Sequence, residues 1–289
     1  MPDTQAPLDP RQSWLRHMGR IGAAHGFFNR ISSRHMALFV DEGDTLVLSF
    51  DRADRTWDQG DRGLPLGFDC LRALEFSLLS ILSAGQTWFR DAAVETLLQG
   101  LVDDGFFASY KTVLIIANGP DCGHAAARAA RFVPGAQVLL NRPAAATSAT
   151  HAPFERRFKA SRQHDPDTPP PLGPEALQTA ASTTILFDPK NPSEAAQAAL
   201  FRAPNTARVG LPYSGSALEH TFTKGEVLVP LARLMQGKAL TPAKARKILR
   251  PSLRRDPDYL ARLSAAAIRK GHVARAATIN DNAPETATP

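Results

Sequence analysis

Residues 112–140 read TVLIIANGPDCGHAAARAARFVPGAQVLL, and this stretch decides the predicted fold. Its first six residues are a continuous β-branched and aliphatic run, typical of a strand buried on both faces. Asn118 to Gly123 forms a predicted tight turn, followed by an alanine-rich helix over 124–132. Residues 136–140 then form a second strand after Pro134-Gly135. A strand, turn, helix and strand in this order are typical of a parallel α/β sheet.

The residues on either side extend this pattern. Upstream, apolar residues spaced as on one face of a helix predict an amphipathic helix that ends near Gly105; these are Val94, Leu97, Leu98, Leu101 and Val102. Downstream, two more apolar runs occupy 184–187 and 207–211. We predict that the strands at 113–117, 136–140, 184–187 and 207–211 are adjacent and parallel, with the helix at 123–132 packed on one face.

The remaining segments are assigned from periodicity and turn residues. Two strand-like runs, 37–40 and 45–50, are separated by Glu42-Gly43-Asp44, which favours a hairpin. The other predicted elements are helices at 13–31, 66–75 and 192–201, a strand at 77–82 and a proline-broken helical block at 224–270.

Composition shifts divide the chain. We predict a disordered N-terminus over 1–12, an α/β domain over 13–236, a basic helical segment over 237–276 and a disordered tail over 277–289. Within the domain, residues 141–182 hold seven prolines and no long apolar period. A connection of this length is often functional or disordered. It is interpreted as a lid-like insertion.

The residue types present narrow the function classes. Only two cysteines occur, Cys70 and Cys122, which disfavours a disulfide scaffold or a four-ligand zinc site. The histidines show no metal-binding spacing, and no phosphate-binding glycine motif occurs, so we predict neither a metal nor a cofactor. No secretory-type leader and no apolar run of about 20 residues is seen, which predicts a cytoplasmic protein without a transmembrane segment.

The net charge of +6 is concentrated near the C-terminus. Residues 238–275 hold eleven Lys or Arg and two acids, so the rest of the chain is slightly acidic. Two interpretations remain open: a solvated helical face, or a surface that binds nucleic acid or another anionic partner. The second would use Lys244, Arg246, Lys247, Arg250, Arg254 and Arg255.

The turn after the first strand contains Gly119-Pro120-Asp121-Cys122-Gly123, which resembles the nucleophile elbow of α/β-hydrolases. In that motif a strained residue between strand and helix carries the nucleophile. This alignment places Asp121 there, as in haloalkane dehalogenases and epoxide hydrolases, in which a carboxylate forms an ester intermediate. The resemblance implies Asp188, after the strand at 184–187, as the acid. His220 would be a substitute base.

A second alignment resembles a family of bacterial α/β-hydrolase-like proteins with a G-x-S-x-G-G-Y-A-A elbow. Matching G-Y-A-A to Gly123-His124-Ala125-Ala126 places Pro120 where the family has serine, so the nucleophile is missing. The family's Gly-His aligns with Gly215-Ser216, so its base is replaced too. Segments 88–91, 101–107, 134–136 and 187–189 support the resemblance. Some relatives are labelled phosphoadenosine phosphosulfate reductases, but neither motif of that enzyme, S-G-G-x-D-S or E-C-G-x-H, is present.

Several hypotheses therefore stand. The favoured one is an α/β-hydrolase-like protein that has lost the standard triad and binds a ligand or partner, with Gly119, Cys122, His124 and Arg156 as candidate ligand-binding residues. The others are a hydrolase using Asp121, Asp188 and His220, a polyanion-binding accessory protein, and a turn without chemistry. A thiol near a helix N-terminus has a lowered pKa, so Cys122 is also weighed as a nucleophile. Whether the protein is an enzyme stays open.

Overall fold

A computed structural model of the chain describes residues 9–57, 63–162 and 173–281. One sheet of eight strands runs through it, in the order β1-β2-β4-β3-β5-β6-β7-β8. The strands are Gly26–Arg30 (β1), His35–Val40 (β2), Thr45–Arg52 (β3), Ser77–Ser83 (β4), Thr112–Asn118 (β5), Gln137–Asn141 (β6), Ser182–Phe187 (β7) and Thr206–Gly210 (β8).

Helices cover both faces of this sheet. They are Pro10–His25 (α1), Phe68–Leu74 (α2), Ala92–Asp103 (α3), Pro120–Ala129 (α4), Lys159–Arg162 (α5), Gly173–Ala176 (α6), Pro192–Leu200 (α7), Ala217–Phe222 (α8), Gly225–Gly237 (α9), Pro242–Leu253 (α10), Pro257–Arg269 (α11) and Val273–Asp281 (α12). Among the described residues, no helix combines the length and hydropathy needed to cross a bilayer.

The predicted α/β class and parallel core are confirmed. Strands β3 to β8 all run parallel to their neighbours within this group. At one edge of the sheet, β2 pairs antiparallel with β4, and β1 pairs antiparallel with β2. The four strands predicted to be neighbours are β5, β6, β7 and β8, and they are adjacent and parallel. Because parallel strands end at one edge, the residues after β3, β5, β6 and β7 meet there.

Two apolar layers fix the helices on this sheet. In β5, Leu114 and Ile116 face a core shared with α1, α2, α8, α9 and α10. Their neighbours Val113, Ile115 and Ala117 face the opposite core, shared with α3, α4 and α7. The period of two in side-chain direction therefore buries β5 on both sides, as its continuous apolar sequence predicts.

The predicted helix at 13–31 is wrong over its last six residues, 26–31. Helix α1 ends at His25, and β1 follows and pairs with β2. The reason is close backbone approach: a Cβ on Gly26 would lie 2.3 Å from the carbonyl oxygen of Phe39. Glycine at this position lets the chain leave the helix and enter the sheet directly.

The predicted hairpin of 37–40 and 45–50 is also wrong. Both strands form, but β4 lies between them, antiparallel to β2 and parallel to β3. All seven residues of β4 are buried, so this strand needs a partner on each edge. Strand β4, which follows β3 in the sequence, therefore lies between β2 and β3 and prevents them from pairing.

The terminal predictions are partly corrected. Residues 10–12 belong to α1 rather than to a disordered start, and residues 277–281 belong to α12 rather than to a disordered tail. The rest of both predicted disordered segments, 1–8 and 282–289, lies outside the described residues.

Candidate functional site

A cavity of about 690 Å³ opens at the carboxyl ends of β3 and β5. Crevices at this edge of a parallel sheet are the usual place for ligands in α/β proteins. The described residues that line it are Asp51, Asp54, Arg55, Thr56, Leu64, Pro65, Leu66, Gly67, Phe68, Asp69, Asn118, Glu219, His220, Thr223 and Leu228.

The turn from β5 into α4 borders this cavity. Gly119 has φ +96°, a conformation that side-chain-bearing residues rarely adopt, and Pro120 begins the helix. The amide of Gly119 donates to the carbonyl of Asn141 on β6, at 2.9 Å. A Cβ on Gly119 would lie 3.4 Å from a guanidinium nitrogen of Arg55 and 3.8 Å from Oδ1 of Asp121. The strained position of the turn thus carries no side chain.

Asp121 lies in the first turn of α4 and is completely buried. Within the described part of the chain, neither of its carboxylate oxygens has a hydrogen-bond partner. The closest cation is Arg55, with Nη2 4.0 Å from Oδ1. Asp121 itself is not among the described residues that line the cavity. The sequence-predicted nucleophile therefore sits behind the cavity wall.

A second carboxyl group, Asp51 at the end of β3, shares this environment. Burial raises the pKa of Asp51, and the nearby Asp121 adds to the effect. Amides of Leu66 and Arg52 donate to its two oxygens and oppose the increase. The carboxyl group of Asp51 therefore binds a proton more readily than an exposed aspartate does.

Cys122 is buried in the same turn. Burial, with a further contribution from Asp121, raises the pKa of its thiol well above the ordinary value. The helix N-terminus that would lower this pKa is outweighed by desolvation and the adjacent carboxylate. The thiol is therefore protonated near neutral pH and is a poor nucleophile.

Asp188 lies directly after β7, where the acid was predicted. Its Oδ1 accepts the amides of Lys190 and Tyr213, and its Oδ2 accepts the amide of Gly215. From the other side, Arg262 on α11 donates to the carbonyls of Tyr213 and Ser214. The loop at 212–216, where the resemblance places the base, is thus held by its backbone between a carboxylate and a guanidinium.

His220 lies on α8 and is exposed at the rim of the cavity. His220 therefore lines the same cavity as Asn118, the residue before Gly119. Among the described residues, no hydrogen bond joins its ring to Asp121 or to Asp188. The three sequence-predicted catalytic residues therefore do not form a hydrogen-bonded chain.

Helix α8 is positioned by residues that sequence reasoning missed. Asn141 donates to Oδ1 of Asn118 at 2.7 Å and to the carbonyl of Leu218, while Asn118 donates to the carbonyl of Glu219. The two asparagines are paired residues at the ends of β5 and β6. A polar residue ending each of two predicted neighbouring strands is the signal that could have identified them.

Arg142 completes this network behind the cavity. It forms ion pairs of 2.6 Å with Glu194 on α7 and 2.7 Å with Glu219 on α8. Glu194 is almost fully buried and also accepts the amide of Asp188. The arginine therefore links the elements that follow β6, β7 and β8.

The segment 141–182, interpreted from the sequence as a lid, packs against α4 and α7 in its described part. Gln197 on α7 bonds the backbone of Ala145 and Ala146, and the His124 ring, with Nδ1 3.2 Å from the Ala144 carbonyl, packs against Trp88. Arg156 is exposed. None of the described residues of this segment lines the cavity. Residues 163–172 lie outside the described part.

The six cations predicted to bind an anionic partner fall into two groups in the structure. Arg246 donates to the carbonyl of Gly210, and Arg255 forms an ion pair with Glu226. The remaining four are exposed on α10 or just after it, and their spacing places them on one side of the helix; they are Lys244, Lys247, Arg250 and Arg254. The opposite side of α10, including Leu249, belongs to the apolar core.

Comparisons with known proteins find only distant structural similarities. No protein-family model matches the chain, and no curated protein matches it. Est1E from Butyrivibrio proteoclasticus is similar in structure, with 11% identity and a TM-score of 0.47 over 73% of this chain and 99% of that one. The Pyrobaculum calidifontis esterase has 12% identity and a TM-score of 0.42 over 81% and 95%.

The capsule O-acetyltransferase of Neisseria meningitidis serogroup A is similar as well, with 10% identity and a TM-score of 0.46 over 71% of this chain and 92% of that one. At such identities the likeness concerns the fold alone. What the chain itself shows is an α/β fold with one eight-stranded, mostly parallel sheet. Nothing in these similarities supports the phosphoadenosine phosphosulfate reductase label.

Proposed function

We propose that this protein is a non-catalytic member of the α/β-hydrolase-like folds, and that it binds a small organic molecule in the cavity at the ends of β3 and β5. The observation that carries this proposal is the identity of the residue at the strained turn. In a nucleophile elbow the strained residue presents the attacking atom. Here that residue is Gly119, at φ +96°, which has no side chain to attack with.

The neighbouring residue supports the same function. In an elbow, the backbone N–H of the residue after the nucleophile stabilises the developing oxyanion. The residue after Gly119 is Pro120, which has no backbone N–H. The turn therefore lacks both the nucleophile and one of the two oxyanion donors.

The acid and base positions agree with this proposal. A triad acid must accept a hydrogen bond from the base and orient it. Asp188 instead accepts three backbone amides, two of them from the loop after β8. Its carboxylate serves the loop's conformation, and the exposed His220 is left without an orienting acid among its described contacts.

The cavity retains the properties of a binding site. Leu64, Pro65, Leu66, Phe68 and Leu228 provide apolar surface. Arg55 lines it beside the turn, and two of the four lining acids form ion pairs within the protein, Asp54 with Arg52 and Glu219 with Arg142. Nine of the fifteen described lining residues are polar or charged, so the cavity offers several hydrogen-bonding groups beside one apolar wall. The expected ligand is a small polar molecule with several hydrogen-bonding groups and an apolar portion.

A cavity-filling variant tests this function. Thr223 is an exposed residue of the cavity lining, so Thr223→Trp should block the cavity without disturbing the core. The matched control is Gln99→Trp, on the exposed side of α3 and away from the cavity. The measurement is native mass spectrometry with a panel of small esters, amides and carboxylic acids.

We expect members of the panel to bind the unmodified protein and the Gln99→Trp variant, and to bind Thr223→Trp at least about tenfold more weakly, the loss expected when a ligand forfeits its buried contacts. Equal binding to both tryptophan variants would place the site elsewhere. Binding of no panel member by the unmodified protein would contradict the ligand-binding function.

A further inference from the structure

We propose that the C-terminal helical hairpin docks on an anionic lipid surface through its tip, residues 268–275. This proposal concerns a part of the protein remote in sequence from the cavity and stands independently of the ligand-binding function. Helix α11 ends at Arg269 and α12 begins at Val273. Every residue from 268 to 275 is exposed.

The tip is held in a defined conformation. Gly271 has φ +74°, and the amide of His272 donates to the carbonyl of Ala267 at 2.9 Å, which closes α11 with a glycine cap. Helix α11 is attached to the domain through Arg262 and the buried Leu260. The tip is therefore a defined turn at the end of an anchored helix.

The tip presents aliphatic side chains to solvent. Ile268 is 56% exposed and Val273 is 68% exposed, the highest values among the large hydrophobic residues of the described chain. They flank the same three-residue connection. Isolated exposed hydrophobic residues are ordinary, but two on one short exposed connection give the tip an apolar character.

Basic residues also lie at the tip. Arg269, Lys270 and Arg275 are exposed, and no ion pair links any of them to a described carboxylate. From Tyr259 to Asn280 the sequence contains no acidic residue. Every charged side chain of this segment is therefore positive, which matches an anionic partner.

The combination favours a bilayer over a nucleic acid. Aliphatic side chains gain little against a phosphate backbone, and the tip has no Phe, Tyr or Trp to stack on a base; its one aromatic ring is that of His272. At a lipid surface the same side chains enter the boundary between headgroups and acyl chains, while Lys and Arg attract anionic headgroups. Helix α10 offers cations only, since its apolar side is buried, so it cannot insert.

The test is sedimentation with lipid vesicles at low salt. The full-length protein is mixed with phosphatidylcholine vesicles containing about 30% phosphatidylserine, or with pure phosphatidylcholine vesicles. Three variants are compared: Ile268→Ser with Val273→Ser, Arg269→Glu with Lys270→Glu, and Lys247→Glu with Arg250→Glu on α10. Circular dichroism confirms that each variant is folded.

We expect binding to the anionic vesicles only, reduced about tenfold by the serine pair and abolished by the tip charge reversal. The α10 pair should retain at least half of the binding. The proposal is overturned if the unmodified protein binds no vesicles, or if the serine pair leaves binding unchanged. It is also overturned if duplex RNA, but not vesicles, binds in a tip-dependent way, or if the tip proves to be a self-association surface by analytical ultracentrifugation.

Discussion

Replacing Arg142 by Leu lowers the free energy of unfolding by about 3–5 kcal/mol, since it leaves a buried charge without its partner. Glu194 is 4% exposed and pairs with Arg142 at 2.6 Å. Without the guanidinium, the carboxylate has to stay charged in a poor solvent or bind a proton at a cost. Urea denaturation of the two proteins measures the difference.

A second variant separates the charge effect from lost packing. Adding Glu194→Gln to Arg142→Leu removes the unpaired charge. The glutamine keeps one side-chain oxygen, which can still accept from the backbone amide of Asp188 or the side-chain amide of Asn191. The double variant should recover at least half of the lost stability. A cost below about 1 kcal/mol for Arg142→Leu alone would show that water reaches Glu194 and that the network is not buried in solution.

Replacing Asp188 by Ala should cost about 2–4 kcal/mol, because backbone amides lose a charged acceptor. The affected donors are Lys190, Tyr213 and Gly215. We expect hydrogen exchange in the loop at 212–216 to accelerate, and this local opening is a second measurement beside denaturation.

The conservative variant Asp188→Asn distinguishes an anchor from a triad acid. One side-chain oxygen remains to accept amides, so an anchor loses part of its stabilising effect and the loss of stability is intermediate. A triad acid behaves differently, since Asn there leaves the structure intact and lowers turnover by about four orders of magnitude. Unchanged stability in both Asp188 variants would contradict the anchoring role.

The central part of the fold was predictable because its signals are local. Strand β5 is apolar throughout, and α4 and β6 follow it with short connections, so order and direction follow from chain topology. The first three strands were harder. Whether β2 and β3 pair depends on β4, which comes some thirty residues later in the chain. No local sequence pattern predicts that β4 lies between them in the sheet.

The site was less predictable for a geometrical reason. The turn contains glycines at 119 and 123, so a motif alone allows more than one register for its strained residue. In the structure Gly119 has the positive φ, and Asp121 lies inside the first turn of α4. Arg55 and Asp51 reach this turn from another strand end, a juxtaposition that spacing along the chain does not contain.

The absence of a covalent nucleophile is tested most directly by intact-mass analysis after exposure to three reagents: a fluorophosphonate, a short acyl ester, and a haloalkane. The haloalkane is also applied to His220→Gln, which would trap an ester on Asp121 if His220 activated the hydrolytic water. We expect unmodified masses in every sample and ester hydrolysis no faster than in buffer. A stoichiometric adduct on one serine, or an alkyl ester on the Asp121 peptide that disappears in Asp121→Asn, would contradict the account.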